Sequence, residues 1–256
     1  APLAVSIPVV AAAAVLLLGF VLERHAPTLL LPVFAALTAC GLIAMAGFRL
    51  PERPDEAADR PAEHRSIATV LRSHPRFALT LLGCMFFFLT HTISNTYMNA
   101  LVGKAGGTAS AVGTSLAISA VLELPAMTLV SRLQKRFSPG FFLRFAAGAE
   151  VVKFLIFYLA RSMPLIYLGH CMQFFQFAVY APATVYYVAA ALPERDQLKG
   201  QSLIYVAGSG LGGALGNLLG GRLLDRSGIQ AALLLGTVSA AASLLTFCLS
   251  TREDSR

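Results

Sequence analysis

Eight long apolar runs, parted by short charged connections, limit what this chain can fold into. They lie at about 4–22, 27–48, 77–99, 109–131, 140–160, 163–192, 200–221 and 228–249. A bilayer's hydrocarbon core is crossed by a helix of about 20 apolar residues. Inside lipid the backbone is satisfied only in helices or closed barrels. These runs are too long, and too little alternating, to be barrel strands. The expected fold class is therefore an all-α membrane protein with eight transmembrane helices. Composition agrees: 13% of residues are charged and 56% hydrophobic, whereas a soluble domain carries about 25% charged residues.

The longest polar interval, 49–76, mixes six Arg with five acidic residues. It reads as a solvated linker with a short amphipathic helix near 66–73. The remaining connections are short, so consecutive helices run antiparallel. If the linker is cytoplasmic, thirteen Lys and Arg fall on that side and five on the other. The positive-inside rule then puts both chain ends in the cytoplasm, and the expected location is a bacterial inner membrane. The net charge of +7 comes from these loops, with no groove-reading or base-stacking motif, so nucleic acid is excluded as a partner. The cysteines (Cys40, Cys84, Cys171, Cys248) lie inside apolar runs without metal-ligand spacing, as small packing residues do. No metal or cofactor motif stands out. The chain opens on Ala-Pro-Leu without a basic flank, which reads as the cut start of a longer protein.

Polar residues inside the runs mark the candidate site. Glu123 is nine residues before Arg132, roughly 13 Å deep at 1.5 Å per residue. Glu150 is ten past Gly140, at a similar depth. An intramembrane charge costs at least about 2.5–3.5 kcal/mol unless it is paired or faces water. Glu150 and Lys153 are spaced to pair on one helix face, which leaves Glu123 in need of a partner, with Lys153 the nearest cation in depth. A structural ion pair and a solute or proton site both fit this pattern. Arg144, close to a helix end, is expected to snorkel. His170, Gln173 and Gln176 follow at three-residue intervals as one slowly drifting stripe, while His91 and Asn95 are four apart; each set serves either interhelical hydrogen bonding or a cavity wall. Pro125 and Pro182 are expected kink points. The run 208–221, "GSGLGGALGNLLGG", has the small-residue spacing that lets helix backbones approach.

A linker ahead of a six-helix half, with charges in that half's second and third helices, resembles the major facilitator superfamily. "LELPAMTLVSRLQKRFSP" (122–139), "LPERDQLKGQSL" (192–203) and "GGRLLDRSG" (220–228) resemble, in order, the eighth helix with its basic loop, the loop between helices ten and eleven, and the turn into helix twelve. The similarity is to the branch with lactose permease and phenylpropionate permease-like proteins. It implies that 1–48 are the fifth and sixth helices of an N-terminal bundle, 49–76 the cytoplasmic central linker, and 77–256 the C-terminal bundle of a 12-helix fold. It also implies that Glu123 matches a carboxylate of sugar and proton coupling and Lys153 a ninth-helix Arg. His170, Gln173 and Gln176 fall on a Lys, His and Glu ladder. Gln176 cannot titrate where that ladder has its proton-carrying Glu, so Glu123, Glu150 or His170 would have to carry a proton.

The expected activity is alternating-access transport of a small solute, sugar-like or an organic acid, coupled to a proton. The expected partners are the bilayer, the solute, the proton and the N-terminal helices of a parent chain. An exporter of hydrophobic compounds, a non-transporting receptor and an inactive gene fragment are the alternatives. No catalytic motif points to an enzyme.

Overall fold

The computed structural model describes residues 66–252, and besides them only the helical positions 32, 35, 36 and 39. The first two expected membrane helices and most of the linker lie outside the described residues. Within 66–252 the chain is helical throughout. A short α1 (Ile67–Ser73) stands where the end of the linker was expected to turn helical, followed by α2 (Pro75–Thr96), α3 (Met98–Lys104), α4 (Ala109–Leu133) and α5 (Pro139–Leu159). Next come α6 (Met163–Cys171), a 3-10 turn (Met172–Phe174) and α7 (Phe177–Ala191). Then α8 (Glu194–Tyr205) runs through a π-helical turn (Val206–Gly212) into α9 (Gly213–Ser227), and α10 (Ile229–Ser250) closes the described chain.

Five of these stretches are long and apolar enough to span a membrane: α2, α4, α6 through α7, α8 through α9, and α10. At 21 residues α5 is one residue shorter than the shortest of them, and it carries Arg144, Glu150 and Lys153. Local chemistry fixes the ends. Pro75 and Pro139 sit in the first turns of α2 and α5, where a missing N–H is harmless. Ser138 caps α5 by accepting from the Phe141 N–H at 3.3 Å. Gly228, at φ +77°, makes the left-handed turn between α9 and α10. Arg144 Nη1 donates to the Thr251 carbonyl at 3.1 Å, at the negative end of α10.

The runs 163–192 and 200–221 show details the sequence reading did not give. The first is interrupted at Met172–Gln176, and Pro182 lies inside α7. The second begins at Glu194, just after Pro193, with Glu194 and Asp196 in its positive first turn.

Packing follows the small residues. α2 lies between α10 on one side and the π turn with α9 on the other, while α5 packs on α10, α6 and α7, and α4 on α6, α7 and the 3-10 turn. Ser243 Oγ donates to the Gly83 carbonyl at 2.9 Å and Thr90 Oγ1 to that of Gly236 at 3.2 Å, joining α2 and α10 where their backbones come close. On the other flank, a Cβ added at Gly216 would stand 2.6 Å from the Leu89 carbonyl oxygen, and one at Gly212 would collide with that of Met85.

These contacts give a direct test. Gly216→Ala is expected to destabilise the protein by about 1–3 kcal/mol, the usual cost of overpacking. Gly148→Ala, where an added Cβ meets nothing within 4 Å, should leave stability unchanged. Thermal unfolding in detergent, followed by maleimide labelling of the buried Cys84, measures both.

Candidate functional site

The candidate site forms where α4, α5 and the broken α6–α7 span meet. Lys153 is buried, 1% exposed, in the apolar interior. An ammonium there needs acceptors, and two glutamines supply them. Lys153 Nζ donates to Gln173 Oε1 at 3.0 Å and to Gln176 Oε1 at 3.5 Å. The Gln173 amide then donates from Nε2 to Glu123 Oε1 at 2.8 Å. Glu123 and Lys153 are thus joined through a neutral side chain that accepts from the cation and donates to the anion. The Lys153 ammonium also lies 5.8 Å from the centre of the Phe157 ring, a cation–π distance.

Residues three apart lie on one side of a helix. Gln173 lies within the 3-10 turn and Gln176 just after it, and both side-chain oxygens reach Lys153 on α5.

Glu150 behaves differently from the pair expected on one face of α5. It is fully buried, and neither carboxyl oxygen has a hydrogen-bond partner among the described residues. Lys153 has turned across to the glutamines instead, because Gln173 gives it a charge-assisted bond and a link to Glu123 together.

His170 is held apart from this chain of bonds. Its Nδ1 is 3.0 Å from Ser119 Oγ and its Nε2 3.2 Å from Met98 Sδ, so it ties α6 to α4 and α3. Ser119 and Glu123, four apart on α4, present two parallel rungs, one to His170 and one to Gln173. The sequence reading passed over Ser119, although its spacing from Glu123 was the available signal. His91 and Asn95 form a third group on α2. The Asn95 amide nitrogen lies 2.9 Å from His91 Nε2, and the imidazole stacks on Phe177 with ring centres 4.4 Å apart. That stack was invisible in the sequence because it joins two helices far apart along the chain. Close by, a groove of about 240 Å³ between α4 and α5 is lined by apolar side chains alone, among them Phe137, Phe141, Phe145 and Phe175.

A bundle of apolar helices with a carboxylate, an ammonium and two amides joined in its interior is the build of a multi-pass integral membrane protein with a polar site at depth. The chain belongs to the MFS_1 like family, whose model matches residues 4–235. Among its relatives is the maltose permease of Geobacillus stearothermophilus, 27% identical over 245 residues, or 95% of this chain and 61% of that protein. Another is the uncharacterized transporter YwbF of Bacillus subtilis (strain 168), 22% identical over 218 residues, covering 85% of this chain and 55% of that protein. The chain spans a little over half the length of these curated relatives.

Breaking the buried chain at its cation should be costly. Lys153→Ala is expected to destabilise by about 3–5 kcal/mol, the usual penalty for stranding one partner of a buried charge pair. Adding Glu123→Gln should recover part of that loss, since the Glu123 carboxylate is then no longer left without its cation. Unfolding midpoints of the two single variants and the double variant test the coupling.

Proposed function

We propose that the full gene product is a secondary transporter that moves a small polar solute across a bacterial plasma membrane by alternating access, in symport with a proton. In this reading the linker and both ends of the chain face the cytoplasm. Residues 1–48 are the last two helices of a first bundle, 49–76 the central linker, and 77–256 the second bundle. The solute binds near the midplane, between the two bundles.

The observation that carries the proposal is the bonded set Glu123–Gln173–Lys153–Gln176. Apolar side chains could hold these helices together without the desolvation cost of two ionisable groups. The set offers both hydrogen-bond donors and acceptors, as a hydroxylated solute requires. His91 and Asn95 add a further polar edge from α2, and His170 positions α4 against α6. The name of the Geobacillus stearothermophilus relative makes maltose the first probe. The wholly apolar groove beside α4 suits a hydrophobic compound better, but no ionisable group reaches it, so it offers nothing to couple transport to a proton.

The test is counterflow of radiolabelled maltose in proteoliposomes holding the full gene product. Counterflow above that of empty liposomes is expected, with Glu123→Gln reducing it at least about tenfold, the order of effect when one hydrogen bond to a charged group is lost. Normal counterflow in that variant would remove Glu123 from the solute site.

A further inference from the structure

The buried charges of the described spans do not balance. Away from the helix ends these spans hold two carboxylates, Glu123 and Glu150, and the single ammonium of Lys153. Arg144 lies near the start of α5 and is engaged by the Thr251 carbonyl. Glu123 and Lys153 neutralise each other through Gln173. Glu150 is left over, fully buried with both oxygens unpartnered. A carboxylate in this position would leave a net negative charge in hydrocarbon, whereas a carboxylic acid would leave none.

Among the described residues, the elements packed against α5 offer Glu150 no second cation. Lys153, one turn along α5, is the charged group that acts on it. Among the elements packed against α5, α2 contributes Cys84 and His91, α6 contributes His170, and α7 contributes Tyr180. Along α10 there is no charged side chain, only the thiol of Cys248.

We propose that Glu150 is the seat of the coupling proton, one per cycle, while Glu123, Gln173, Lys153 and Gln176 hold the solute. The proposal rests on the transport reading above. On the loading side, water delivers a proton to a Glu150 oxygen, an O–H bond forms, and the interior becomes neutral and free to reorient. Lys153 has three N–H donors, and two of them are engaged by the glutamines, the one to Gln176 at 3.5 Å being the longer. When that donor turns to Glu150, three residues away on the same helix, it stabilises the carboxylate. The O–H bond then breaks and the proton passes to water on the releasing side. Gln176 takes no part in the proton's path, because an amide does not titrate.

Infrared difference spectra of the full gene product in nanodiscs, recorded between acid and alkaline buffer, report the acid C=O stretch of a titrating buried carboxyl. That band is expected in the unaltered protein and in Glu123→Gln, at a shifted frequency in Glu150→Asp, and lost in Glu150→Gln. In proteoliposomes, Glu150→Gln is expected to keep maltose counterflow, which needs no net proton movement, and to lose accumulation driven by a pH gradient. Survival of the band in Glu150→Gln, its absence from the unaltered protein, or intact pH-driven accumulation in Glu150→Gln would each overturn the proposal. Failure of the unaltered protein to show maltose counterflow would count against the transport reading with that solute, and the infrared band would still decide where the proton sits.

Discussion

An ammonium buried in a membrane must be given acceptors, and much of the local architecture around Lys153 follows from that demand. Two glutamine oxygens meet it, from residues three apart beside the 3-10 turn at Met172–Phe174. Gln173 then passes the interaction to Glu123, which draws α4 onto the broken span. The cation therefore sets the relation of three membrane helices to one another, and that shared dependence makes the polar chain more than a sum of separate hydrogen bonds.

The rest of the bundle supplies a frame that does not depend on charge. Serine and threonine hydroxyls bridge α2 and α10, and glycines let the π turn and α9 lie directly on the α2 backbone. In lipid, where apolar side chains gain little by leaving the solvent, such close contact and interhelical hydrogen bonds are the main sources of cohesion. The glycines of the π turn bring it against Met85 and Phe88 of α2. Lys153 and Glu150 are borne on α5, which packs on both α10 and α7, so the site is joined to this frame.

Most of the fold was legible in the sequence because lipid imposes a simple length rule. The six runs from 77 onward correspond to α2, α4, α5, α6 through α7, α8 through α9, and α10. The interruptions were not legible. Proline within a membrane helix is tolerated when neighbours satisfy the freed carbonyl, and Pro182 lies inside α7, while the interruption at Met172–Gln176 carries no Pro or Gly to announce it. The members of the site were visible as polar residues in apolar runs, but their partnerships were not. Lys153 is nearer along the chain to Glu150, and only the three-dimensional arrangement shows Gln173 linking it to Glu123. The role of Ser119, and the stacking of His91 on Phe177, likewise depend on which helix faces become neighbours.

The central claim is that the buried polar chain is a working site and not a packing device, and replacing the whole of it at once separates the two. In the combined variant Glu123→Leu, Gln173→Leu, Lys153→Met, Gln176→Leu, no member of the bonded set is stranded, and buried ion pairs exchanged for apolar residues of similar size commonly leave stability unchanged or raise it. The measurement is maltose counterflow together with the unfolding midpoint, for this variant and the unaltered full gene product. The expected result is a protein that unfolds at the same temperature or higher and shows no counterflow. A variant that is equally stable and still exchanges maltose at the normal rate would contradict the account.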